Sequence, residues 1–191
     1  MLNLCSEPAF AAWCARVRSL VGRDRFAHVL RVTELAAELA EAAGFSEADL
    51  ERVRLAALLH DAARELNAEQ LMELAPPACQ LEREHPLTLH GRAARALAES
   101  WGVEDEVVLG AIEGHVMGVH PDDHVGTVVY IADVSEPGRN VNSAIRELAF
   151  RDLPAAYRAA VRSKITYLEA TGKPVHPATM RAYEAIRGAA D

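Results

Sequence analysis

Residues 58–64, Leu58-Leu59-His60-Asp61-Ala62-Ala63-Arg64, end an apolar helical run with an imidazole and a carboxylate where a hydrophobic core is expected. An unpaired buried carboxylate is costly, so Asp61 must be solvated, paired with a cation or bound to a metal. No lysine lies within ten residues of it, and Arg64 is the partner the sequence offers nearby. The metal alternative therefore directs attention to the other histidines and acids.

They fall on core faces. In RFAHVLRVTELAAELAEAAG (25–44), His28 shares the i, i+4, i+7, i+11 stripe of Val32, Leu35 and Leu39, the buried side of an amphipathic helix. In VVLGAIEGHVMG (107–118), His115 follows Val108, Ala111 and Ile112 at helical spacings, near the end of its segment. Asp133, in VVYIADVSEPGRN (128–140), follows Val129 and Tyr130 by four and three residues, which directs a second acid inward. His90, in TLHGRAARALAES (88–100), opens a further helix, where a donor can approach without breaking the packed middle. Any one of these residues alone fits an ordinary core position: a lone histidine bonded to a carbonyl, or Asp133 as a stop signal before Pro137. Together, in the order His, His-Asp, His, His, Asp, they read as a metal site.

That order resembles the HD-domain metal-dependent phosphohydrolases, in which histidines and aspartates from several helices hold one or two metal ions. LLHDAAR, IADVSEPGRN (131–140) and the tail VRSKITYLEATGKPVHPATMRAYEAI (161–186) are similar to the bacterial YqeK-type branch, whose members hydrolyse diadenosine tetraphosphate symmetrically to two ADP. The likeness runs from about Arg25 to Ala185. It implies an all-α bundle with a metal site in its core, and a metal-dependent hydrolase of dinucleoside polyphosphates. The alternatives are another HD-type nucleotide phosphohydrolase, acting on nucleoside phosphates or alarmones, and a nucleotide-binding regulator that has lost turnover. A homodimer is an expectation from the resemblance alone.

The chain departs from the family pattern at several points. Val116 and Met117 stand where a pair of threonines usually precedes the glycine, and Thr127 stands where a lysine usually precedes the apolar run of the Asp133 helix. Gly91-Arg92 adds a guanidinium beside His90, and Arg64 replaces the lysine that often ends the HD motif. The six metal-binding positions are intact.

Mixed imidazole and carboxylate donors suit iron, manganese, zinc, nickel or cobalt better than magnesium, and the resemblance favours iron. With two metals, Asp61 is expected to bridge with both oxygens, His28, His60 and Asp133 completing one position and His90 and His115 the other. Activation of a water and stabilisation of charge on phosphorus follow from such a centre, so Asp61 and His60 are catalytic candidates. Arg139, about two turns beyond Asp133, is the leading candidate for holding phosphate and for catalysis, with Arg64 and Arg92 as weaker substrate contacts. His85 and His120 are read as exposed loop residues and His124 as lying near the start of the next helix, with His120 or His124 an alternative further ligand if the loop folds back.

Composition frames this chemistry. The 191 residues are 50% hydrophobic and only 5% aromatic, which suits one all-helical domain over 1–191, with the metal core at about 24–140 and C-terminal helices over 141–191. A formal charge of −8 without a basic run argues against nucleic-acid binding. Glu7 and Arg16 interrupt the only N-terminal stretch that resembles a leader, and no apolar run is long enough for a membrane span. Cys5, Cys14 and Cys79 read as free thiols of a reducing compartment, so a cytoplasmic protein is expected. Helices are predicted at 6–21, 23–43, 46–60, 67–74, 90–100, 104–115 and 122–135, with three more in the tail. Gly44, Gly102 and Gly172 mark helix stops, and residues 75–88 are expected to form a loop.

Overall fold

A computed structural model describes residues 4–188. The described chain is all-helical and without strands. Its order is α1 (Pro8–Leu20), α2 (Arg23–Ala42), α3 (Glu47–Leu59), α4 (Ala68–Leu74), α5 (Gln80–Glu84), α6 (His90–Ser100), α7 (Glu106–Gly114), α8 (His124–Ser135), α9 (Ser143–Ala149), α10 (Leu153–Ala170) and α11 (Pro177–Gly188). Three 3₁₀ turns, at Leu4–Ser6, Pro86–Leu89 and Pro137–Arg139, interleave with them.

The most apolar helix occupies the middle. Every residue of α8 from Val125 to Ala132 is buried, and a helix that is apolar all round must be enclosed by others. It packs against α2, α3 and α7 on one side and against α9 and α10 on the other. The stripe on α2 lies as its spacing requires: Val32 and Leu39 are fully buried and Leu35 nearly so. Polar punctuation sets the ends. Ser46 accepts the Asp49 N–H to open α3, Asp105 accepts those of Val107 and Val108 to open α7, and Asn67 with Gln70 forms a reciprocal capping box on α4. Gly44, Gly102 and Gly172 take φ of +74°, +95° and +64° just past helix ends, where a β-carbon would be strained.

Two expectations fail. The stretch 75–88 is not an open loop, because it contains α5 and a 3₁₀ turn. Its anchor is Glu82, buried with its carboxylate receiving the Ala78 N–H and the Arg92 guanidinium, a charged contact that a Pro-rich reading of the segment conceals. The second failure is the thiols. Cys5 and Cys14 form a disulfide that closes the first 3₁₀ turn onto α1, and Cys79 is the free cysteine among the described residues. Nine residues of separation carried no CxxC signal, and the pairing removes the cysteine argument for a reducing compartment. Among the described residues no helix is long and apolar enough to cross a membrane.

Helices α6 and α7 meet backbone to backbone at Gly91. A β-carbon there would stand 2.5 Å from the Glu113 carbonyl oxygen and 2.8 Å from Val116 Cγ2. Gly91→Ala is expected to lower stability by about 1–3 kcal/mol, the usual cost of overpacking, as read from the urea midpoint of the variant.

Candidate metal centre

Five segments deliver the six residues to one place. His28 lies in the second turn of α2, His60 and Asp61 in the turn that ends α3, His90 at the first residue of α6, His115 just past α7, and Asp133 in the last turn of α8. All four histidines and Asp61 are buried, with His60 fully so. Asp61 lies between them. Its Oδ2 is 3.5 Å from His60 Nε2 and 3.7 Å from His28 Nε2, and its Oδ1 is 3.4 Å from His90 Nε2 and 3.6 Å from His115 Nε2. Asp133 Oδ1 closes the first side, 3.1 Å from His28 Nε2 and 3.8 Å from His60 Nε2.

The outer nitrogens fix which face of each ring carries a proton. The Nδ1 atoms of His60, His90 and His115 each lie 2.6 Å from the carbonyl three residues earlier, on Ala57, Leu87 and Ile112. A carbonyl only accepts, so each Nδ1 is the N–H donor and each neutral ring turns a bare Nε2 inward. His28 follows the same rule through a carboxylate, its Nδ1 donating to Glu136 Oε1 at 3.0 Å. Bare acceptors then face each other. His90 and His115 bring two Nε2 atoms to 3.1 Å, His28 Nε2 meets a carboxylate oxygen at the same distance, and buried His60 Nε2 has no hydrogen-bond partner. Lone pairs pressed together in a buried site need a cation between them, and His28, His60 and Asp133, like His60, Asp61 and His115, are spaced to hold one.

The protonation balance agrees. Burial lowers His60 to about 4 and outweighs the nearby carboxylates; burial likewise lowers His90. Burial pushes Asp61 and Asp133 up, but the surrounding imidazoles, with Arg139 beside Asp133, hold both carboxyls well below the usual range. A pH prediction follows for metal-free protein. The unfolded chain protonates His60 below about pH 6.5, whereas the folded chain resists until about 4. The unfolded state therefore binds the extra proton across this window, and stability falls as pH falls, by about 3 kcal/mol over the whole of it. Glu136, held down to about 2, adds a further loss below its ordinary value of 4.5. Urea melts of chelator-treated protein at pH 7 and about 4.5 read this directly, and a flat profile contradicts it.

The arginines differ from expectation. Asp61 pairs not with Arg64 but with Arg25, whose guanidinium reaches Oδ2 at 3.0 Å. Arg25 precedes His28 by three residues on the same helix face, which turns it toward the centre without naming its partner. Arg64 forms no ion pair among the described residues, and Arg92 is engaged with Glu82 and the Pro76 carbonyl. Arg139 is at the centre, its guanidinium 2.5 Å from Asp133 Oδ1 and 37% exposed. Glu136 and Arg31 were missed: the fully buried Glu136 carboxylate receives His28 Nδ1–H, the Gly138 N–H and two Arg31 N–H groups. Its position one turn after Asp133 was the available signal. His85, His120 and His124 are exposed. Thr127 is buried near the far end of α8, about 9 Å along the helix from Asp133 at 1.5 Å per residue, so the charge missing there is not missing from the centre itself. Val116 and Met117 are half-buried beside His115, and Met117 lines a cavity of about 620 Å³ together with Arg92.

Comparison with known proteins gives the family. The HD-domain family profile matches residues 25–138, a range that includes the six residues described above, and the chain belongs to that family of metal-dependent phosphohydrolases. Among its curated relatives, the symmetrical bis(5'-nucleosyl)-tetraphosphatase of Bacillus subtilis is 30% identical over 175 residues, 88% of this chain and 92% of that protein. A protein of the same name from Staphylococcus aureus is 33% identical over 135 residues, 66% of each chain. The crystal structure of a predicted HD superfamily hydrolase involved in NAD metabolism from Clostridium acetobutylicum superposes with a TM-score of 0.86 at 28% identity, covering 94% of this chain and 97% of that one.

Proposed function

We propose that the protein hydrolyses dinucleoside polyphosphates, diadenosine tetraphosphate first among them, cutting the phosphate chain in the middle so that each product is ADP. The observation that carries the reading is the opposition of bare donor atoms around Asp61, two imidazole pairs each facing one of its oxygens. That arrangement suits two divalent transition ions sharing one carboxylate: His28, His60 and Asp133 at one position, His90 and His115 at the other, and Asp61 between. Iron is the first candidate, with manganese, zinc, nickel or cobalt fitting the same donors. When bound, such ions supply a water acidic enough to attack near neutral pH and stabilise charge on the phosphoryl oxygens.

The chain's own residues do the rest. Carbonyl and carboxylate partners on the four Nδ1 atoms hold the rings at a fixed aim, so alignment is set before substrate arrives. Arg139 keeps its exposed edge free while one nitrogen holds Asp133, and a planar fork in that position can bind phosphate in two places. Arg25, a quarter exposed on Asp61, adds positive charge at the same mouth. The names of the relatives support the tetraphosphate as substrate. The test is incubation of metal-loaded protein with diadenosine tetraphosphate and resolution of the products. ADP alone supports the reading. ATP with AMP points to an asymmetric cut and overturns it, as does tight binding without turnover.

A further inference from the structure

Lys164 lies on α10, outside the segment matched by the family profile, and is one of two lysines in the chain. Its ammonium reaches back to the turn that follows His115. Nζ donates to the carbonyl of Val116, the residue after His115, and stands 5.6 Å from the centre of the Tyr130 ring, one turn before Asp133 on α8. It is close enough to Asp133 and Arg139 for both charges to act on it, while burial pulls it down to about 8. A half-buried cation turned toward the interior ordinarily has a carboxylate on it. Lys164 has none within ion-pairing distance among the described residues. Arg25, Arg31 and Arg139, also described around the centre, each have a carboxylate partner, in Asp61, Glu136 and Asp133.

We propose that Lys164 is a substrate-binding residue whose ammonium holds a phosphate of the polyphosphate chain beside Asp133. This rests on the polyphosphate reading above. A compact ammonium with three donors can follow a phosphate whose orientation changes as the bridging bond breaks, which a rigid fork does less well. The competing role is a tether, in which Lys164 only pins the 115–118 turn through the Val116 carbonyl. A tether would act on the aim of His115, and so on metal content.

Calorimetric titration of ADP into metal-loaded wild type, Lys164→Met and Lys164→Arg separates the two, with metal content and melting temperature measured on each. The expected result is ADP affinity lowered about tenfold or more in K164M, the scale of one charge-assisted contact, with metal content and melting unchanged and most of the loss restored in K164R. ADP binding equal to wild type in K164M overturns the proposal; so does a loss of metal that parallels the loss of ADP, or a weakening that K164R leaves unrelieved. If K164M does not fold, K164Q takes its place with the same outcomes. Wild-type protein that neither binds ADP nor cleaves diadenosine tetraphosphate defeats the functional reading, and this one with it.

Discussion

Asp61→Ala is expected to lose its bound metal and its hydrolytic activity together, with kcat falling by about 10³-fold or more. Both oxygens of this carboxylate are in use, Oδ2 toward His28 and His60 and Oδ1 toward His90 and His115. Truncation removes the residue that, among those described, faces all four rings. Several kcal/mol of charge stabilisation at phosphorus go with it, and each 1.4 kcal/mol is tenfold in rate. The variant also leaves Arg25 without its carboxylate in a partly buried setting, so melting must be recorded beside elemental analysis. Full metal content with normal turnover in a folded D61A protein would rule out the shared position.

Glu136→Gln is expected to weaken metal binding by about 10–100-fold, the usual cost of losing the partner that orients a coordinating histidine. Four N–H groups converge on this carboxylate, from His28, Gly138 and twice from Arg31. An amide cannot accept them all, because its NH₂ must face at least one donor. Either His28 loses its anchor or the Pro137–Arg139 turn shifts, carrying Arg139 away from Asp133. Competition with a chromophoric chelator measures the affinity, and wild-type retention by E136Q contradicts the orienting role of Glu136.

The periodic parts of the fold were legible because burial acts on them residue by residue. The His28 stripe on α2 and the apolar run of α8 had one consistent side or none, so their placement followed from spacing. The structure brings the six predicted side chains together, and most of them were visible in the sequence as polar residues at apolar positions. What spacing could not report is pairing between segments far apart in the chain. Arg25 reaches Asp61 across 36 residues and Arg31 reaches Glu136 across 105, and charged residues on a helix are ordinarily read as its wet face. Arg64 was chosen for nearness in sequence, and the turn that ends α3 directs it elsewhere. The segment 75–88 was misread because its ordering comes from the buried Glu82, and the disulfide because two cysteines nine apart specify nothing until the first turn folds onto α1.

The 2.6 Å bonds from His60, His90 and His115 to carbonyls three residues behind them have an evolutionary consequence. Each ring is aimed by its own stretch of main chain, and a main-chain carbonyl is present whatever residue carries it. Mutation of neighbouring side chains leaves those three aims intact, so the walls around the centre are free to change, and a lineage can retune what it accepts without rebuilding its chemistry. His28 lacks that insurance. Its aim is borrowed from a side chain a hundred residues away, which makes Glu136 the inheritance this centre can least lose.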